Sequence, residues 1–148
     1  MTNDNAVGYA GDLLATDAFQ LLTTDASSAL IDVRTQAEWT YVGAPDLTAI
    51  GKTVLFLEWQ SFPAMQVDSG FAARLCAMLA SARVEPGAPL LFLCRSGARS
   101  RHAAVAMTRA GWSPCLNISD GFEGPLDPYR RRNVIGGWRA GNLPWAQT

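Results

Sequence analysis

Short apolar runs alternate along this chain with segments of helical periodicity, and this alternation constrains its fold more than any other feature. The apolar runs have the length of buried strands: Ala29–Val33, Val54–Leu57, Leu90–Leu93 and Leu116–Ile118. The helical segments begin at Thr16, at the Thr35 to Glu38 capping box, at Ser69 and at Arg99. This order predicts one α/β domain over residues 1–148, with a central parallel sheet of about five strands and helices on both faces.

Composition narrows the partners and the compartment. The formal net charge is −1, so no nucleic-acid or membrane partner is predicted. The N-terminal stretch lacks a basic region followed by an apolar run, which is not the pattern of a secretory signal. Three irregularly spaced cysteines do not form a disulfide framework, and with one histidine they do not suggest a zinc site. A reducing, cytoplasmic location is the resulting expectation.

The segment Cys94–Ser100 carries the strongest chemical signal. Its sequence, Cys-Arg-Ser-Gly-Ala-Arg-Ser, follows the apolar run Leu90–Leu93 and leads into a helix. Backbone N–H groups of such a turn and the N-terminus of the helix converge on one point that favours negative charge. A cysteine there is activated as a thiolate nucleophile, and the neighbouring arginines can hold an anionic substrate.

Three side chains fall at or just past predicted strand ends: Asp32, Trp59 and Cys94. Because functional groups of parallel sheets gather at the carboxyl ends of the strands, we expect these residues at one rim. The segment from Trp59 to Gly70 is predicted to be a loop, and its Trp59, Phe62 and Met65 are candidates for a pocket wall, although packing of this loop on the core is an equal alternative. Arg34 and Glu38 are expected to form a local surface ion pair worth about 0–1 kcal/mol.

Several sequence blocks together resemble the rhodanese family of sulfurtransferases. The active-site strand and loop, Leu91 to Ser100, is the most specific block. The supporting blocks are Leu30 to Arg34 with Glu38-Trp39, Gly111-Trp112, Asp120 to Gly124, Gly136 to Ala140 and Leu143 to Trp145. The resemblance extends from about Tyr9 to Trp145. It departs from the family pattern at Val42–Leu47, where Gly-His-Ile-Pro-Gly-Ala is usual, and at Pro125–Ile135, which looks inserted.

The resemblance implies a reaction and a set of site residues. Cys94 would take sulfane sulfur from a small anionic donor such as thiosulfate and pass it, as a persulfide, to cyanide or a thiol. The substrate-binding loop would be Arg95, Ser96, Gly97, Ala98, Arg99 and Ser100, with its amides on the sulfur and Arg95 and Arg99 neutralising the donor. Asp32 would support the loop by accepting hydrogen bonds from loop groups or from an arginine. No metal or organic cofactor is required.

Alternatives remain open at this point. A persulfide carrier that delivers sulfur to an acceptor protein would use the same loop, whereas a non-catalytic binding module would not need an intact one. Cysteine phosphatases and arsenate reductases are a weaker interpretation, because phosphatases place arginine six positions after the cysteine, where this chain has Ser100. Cys76 and Cys115 are expected to pack in or near the core. A less favoured hypothesis makes Cys115 a resolving thiol for Cys94. His102 is expected to be structural or exposed.

Overall fold

The computed structural model describes residues 8–61 and 64–147. Its strands are β1 (Gly11–Leu13), β2 (Ala29–Asp32), β3 (Ala44–Pro45), β4 (Leu55–Phe56), β5 (Gln60–Ser61), β6 (Gln66–Val67), β7 (Leu90–Leu93), β8 (Cys115–Ile118) and β9 (Trp145–Ala146). Its helices are α1 (Ala15–Thr24), α2 (Gln36–Tyr41), α3 (Phe71–Ser81) and α4 (Ala98–Arg109), with a 3₁₀ turn at Thr48–Ile50.

Five parallel strands form the central sheet in the order β1-β8-β7-β2-β4. This arrangement confirms the predicted α/β architecture. Strand β7 lies in the middle, and all four of its residues are buried, as its unbroken apolar sequence predicts. Two antiparallel pairs, β3 with β9 and β5 with β6, lie outside this sheet.

Alternate residues of β7 enter two separate apolar clusters, one on each face of the sheet. Leu90 and Phe92 pack with residues of α3 and α4. Leu91 and Leu93 pack with residues of α1 and with the C-terminal Trp138. Because side chains alternate along a strand, this division places helices on both faces, as the sequence predicts.

Several short elements differ from the sequence expectation, among them β1 and the β5–β6 hairpin. Strand β1 was not predicted, because three residues with one leucine give no apolar pattern; its pairing with β8 defines it. The segment from Trp59 to Gly70, predicted to be a loop, contains the β5–β6 hairpin. No helix within residues 8–61 and 64–147 is long and apolar enough to span a membrane.

Candidate active site

Cys94 lies immediately after β7, at the carboxyl edge of the central strand, with 1% of its surface exposed. Helix α4 starts four residues later at Ala98, so its N-terminus faces the thiol. Behind the loop, the N–H of Phe122 donates to the Cys94 carbonyl at 2.8 Å, and the N–H of Glu123 donates to the Arg95 carbonyl at 3.0 Å. The cysteine therefore occupies a fixed position at a helix N-terminus.

Two groups of the loop contact the Cys94 sulfur. The Gly97 N–H donates to Sγ at 3.1 Å, and the Ser100 hydroxyl oxygen lies 3.2 Å from Sγ. Gly97 has φ of 103°, and a Cβ at this position would lie 2.3 Å from the Ser119 carbonyl oxygen. The turn that aims this amide at the sulfur therefore requires glycine.

Asn117, in β8, was not identified from the sequence as a site residue. Its Nδ2 donates to the Gly97 carbonyl and to the Asp12 carboxylate, both at 3.1 Å, so its Oδ1 accepts the Ser100 hydroxyl at 2.6 Å. Asp12 in turn accepts the Tyr9 hydroxyl at 2.9 Å. One buried amide thus holds both of the loop residues that contact Sγ.

Arg99 is bound to Glu38 by two parallel hydrogen bonds, Nη1 to Oε1 at 2.7 Å and Nη2 to Oε2 at 2.9 Å. Burial alone would raise the pKa of Glu38, but hydrogen bonds and charge from Arg99 outweigh it and lower that pKa. Burial would likewise lower the pKa of Arg99, and Glu38 reverses the shift. The pair is therefore ionised.

The prediction of a surface ion pair between Arg34 and Glu38 was wrong. Arg34 instead pairs with Asp32, through Nε to Oδ1 at 3.0 Å and Nη2 to Oδ2 at 2.8 Å, and both side chains are fully buried. Nη2 also donates to the Gly43 carbonyl, and the guanidinium carbon lies 4.2 Å from the centre of the Phe122 ring. Asp32, the last residue of β2, thus accepts hydrogen bonds from Arg34, and its support of the cysteine loop stays a prediction.

A cavity of about 580 Å³ opens in front of Cys94. Its other walls are Glu38, Val42, Gln60, Met65, Arg95, Ser96, Ala98, Arg99 and Glu123. The structure places the Trp59 ring against Phe71, 5.0 Å between centroids, in an apolar cluster and not among these residues. Phe62, the second candidate wall residue, lies outside the described residues.

The remaining candidates lie away from the cavity. Cys115 begins β8 beside Leu90, so it is separated from Cys94 by the length of β7, roughly 13 Å at the rise of a parallel strand. The Cys115 thiol donates to the Trp112 carbonyl at 3.3 Å. Cys76 is partly buried against the core, and His102 is exposed on α4. Of Cys76, Cys94 and Cys115, it is Cys94 that lines the cavity.

The sheet order and the cysteine loop define a rhodanese-like α/β fold, and known proteins share it. No family model matches the sequence. The rhodanese-like domain-containing protein 4 of Arabidopsis thaliana is 25% identical over 133 residues, 90% of this chain but 25% of that protein. The polysulfide-sulfur transferase homodimer of Wolinella succinogenes is 22% identical with a TM-score of 0.56, covering 98% of this chain and 87% of that one, a likeness of fold alone.

Two closer relatives define the family. Uncharacterized protein RC0915 of Rickettsia conorii is 37% identical over 134 residues, 90% of this chain and 95% of that protein. The crystal structure of Rv0390 from M. tuberculosis is 41% identical with a TM-score of 0.83, and the match covers 95% of this chain and 99% of that one. The chain belongs to the same family as these two proteins.

Proposed function

We propose that this protein is a sulfurtransferase that carries sulfane sulfur as a persulfide on Cys94. The observation that carries the proposal is the position of Sγ: it receives the Gly97 N–H at the N-terminus of a 12-residue helix and faces a cavity. Such a setting stabilises a thiolate, and the same donors stabilise the charge of a persulfide. The rhodanese-like fold adds independent support.

The proposed reaction has two steps. The Cys94 thiolate attacks the outer sulfur of thiosulfate, the bond between the two sulfurs breaks, and sulfite leaves with the electron pair. Atoms and charge balance, since a thiolate and a dianion give a persulfide anion and the sulfite dianion. Cyanide or a thiolate then attacks the terminal sulfur, which restores the Cys94 thiolate and gives thiocyanate or a new persulfide.

The Arg99–Glu38 pair weighs against phosphatase or arsenate-reductase chemistry. A phosphoryl group needs an arginine whose donors face its oxygens. Both terminal nitrogens of Arg99 are already hydrogen-bonded to a carboxylate that is itself a cavity wall. An incoming phosphate would have to displace Glu38 and would then meet its negative charge.

The test is a mass spectrum of the protein after treatment with thiosulfate. We expect a gain of about 32 Da that maps to Cys94 and disappears on addition of cyanide, with release of thiocyanate. Cys94→Ser should abolish both signals, and Cys76→Ser, a change away from the cavity, is the matched control that should keep them. A persulfide on Cys76 or Cys115, or hydrolysis of an aryl phosphate without any sulfur adduct, would refute the proposal.

A further inference from the structure

The ion pair between Arg99 and Glu38 lies in the wall of the cavity in front of Cys94. Both terminal nitrogens of Arg99 are bound to Glu38, and exposures of 16% and 19% show that the two side chains are largely shielded from solvent. Glu38 Oε1 also accepts the N–H and the hydroxyl of Thr35, each at 3.1 Å, which fixes the carboxylate in place. Arg99 therefore faces the cavity with its charge already neutralised.

The charges of the cavity walls cancel. The two positive charges of Arg95 and Arg99 equal the two negative charges of Glu38 and Glu123, so the site has a net negative charge when Cys94 is a thiolate. A dianion such as thiosulfate would enter against this charge, with Arg95 as the cation not bound to a carboxylate among the described contacts. A donor whose reacting group is neutral meets no such barrier.

We propose that Glu38, by occupying Arg99, is a specificity-determining residue that makes the site accept sulfur from organic hydropersulfides in preference to thiosulfate. This inference rests on the proposed sulfurtransferase function. The apolar side chains of Val42 and Met65, which line the same cavity, fit the organic part of such a donor better than the oxygens of thiosulfate.

The chemistry of this donor is balanced without a further reactant. The Cys94 thiolate attacks the outer sulfur of R–S–SH, and the bond between the two sulfurs breaks. The outer sulfur and its proton move to Cys94, giving Cys94–S–SH, and R–S⁻ leaves with the electron pair. The donor enters without charge, and the negative charge of the Cys94 thiolate leaves with R–S⁻, so the site never holds the extra charge that thiosulfate brings.

The experiment measures the rate constant for formation of the Cys94 persulfide, by rapid quench and mass spectrometry, with two donors: thiosulfate and 2-hydroxyethyl hydropersulfide. In Glu38→Gln, we expect the second-order rate constant with thiosulfate to rise about tenfold or more, because glutamine keeps one acceptor oxygen for Arg99 but no longer neutralises its charge, so that Arg99 can bind the dianion. With the hydropersulfide, compared for all variants at one pH at which part of it is protonated, we expect less than about a threefold change, since only the neutral R–S–SH form is attacked and a neutral donor gains no charge contact from Arg99.

Two further variants separate release of Arg99 from a general change of charge. Glu123→Gln removes the same charge from the cavity wall without freeing an arginine, so its effect on the thiosulfate rate should be much smaller. Arg99→Gln should slow thiosulfate further, and the double variant Glu38→Gln/Arg99→Gln should return close to the wild-type donor ratio. Circular dichroism establishes that each variant is folded.

Several outcomes would overturn the inference while leaving the proposed function intact. These are an unchanged or slower thiosulfate reaction in Glu38→Gln, an equal gain with both donors, or an equal gain in Glu123→Gln. The proposed function itself fails in a different way, since the wild-type protein would then form no Cys94 persulfide with either donor.

Discussion

Replacing Asp32 with asparagine should lower the unfolding free energy of this protein, because it leaves the charge of the buried Arg34 unbalanced. Asp32 and Arg34 are both fully buried, and the guanidinium is joined to the carboxylate through two nitrogens. Asparagine keeps the shape of the side chain but removes the charge that balances Arg34. An uncompensated buried charge costs about 3–5 kcal/mol of unfolding free energy.

This loss is large for a domain of 148 residues. Domains have unfolding free energies of roughly 5–15 kcal/mol, and at this size each kcal/mol shifts the melting temperature by about 2–4 °C. We therefore expect Asp32→Asn to melt about 6–20 °C below the wild type. Urea unfolding at pH 7, followed by circular dichroism, measures the free energy directly.

The matched control is the double variant Asp32→Asn/Arg34→Met. Methionine can still pack on the Phe122 ring, which now lies 4.2 Å from the guanidinium carbon. Because the double variant leaves no buried charge, its unfolding free energy should return to within about 1–2 kcal/mol of the wild type. A loss below about 1 kcal/mol in Asp32→Asn, or a double variant as unstable as the sum of the single ones, would refute the reasoning.

Other consequences concern the cysteine loop and its supports. Gly97→Ala places a Cβ 2.3 Å from the Ser119 carbonyl oxygen, so the loop must shift; quenched-flow measurements should show persulfide formation slowed by about tenfold or more. Asn117→Ala leaves buried partners without hydrogen bonds and should lower the unfolding free energy by about 1–3 kcal/mol, with a less than additive loss when combined with Ser100→Ala in urea titrations. Because the pKa of Glu38 is lowered, its pairing with Arg99 contributes its full stabilisation above the usual glutamate pKa and loses it as the pH falls through the lowered pKa. The difference in unfolding free energy between wild type and Glu38→Gln should therefore shrink in urea titrations at acid pH. A difference that persists or widens there would contradict this.

Local sequence was sufficient for the central strand and for the start of α2. The run Leu90–Leu93 was predicted as a strand with the bounds that the structure has, because four consecutive apolar residues fit a strand buried on both faces. The capping box of Thr35 and Glu38 was also confirmed, since its hydrogen bonds join residues three positions apart. Signals of this kind do not depend on which strands become neighbours.

The partners of Glu38 and Asn117 could not be predicted in the same way. Glu38 binds Arg99, 61 positions further along the chain, and Asn117 binds Ser100 from the adjacent strand. Both contacts exist because β8 and β2 lie on either side of β7, an order that periodicity does not determine. The nearer arginine, Arg34, was the natural local partner for Glu38, but its side chain is buried just past the end of β2 in an ion pair with Asp32.

The packing behind the cysteine loop limits the size of the group that the loop can surround, which distinguishes a sulfur atom from a phosphoryl group. A Cβ at Gly121 would lie 2.3 Å from the Arg95 carbonyl oxygen, and a Cβ at Gly97 would lie as close to the Ser119 carbonyl oxygen. Backbone thus meets backbone at two points of the loop, so the loop has little room to widen around a tetrahedral group without moving the turn behind it. A loop of this fixed size, with Arg99 bound to Glu38, supports the proposal that Cys94 carries a single sulfur atom and not a phosphoryl group.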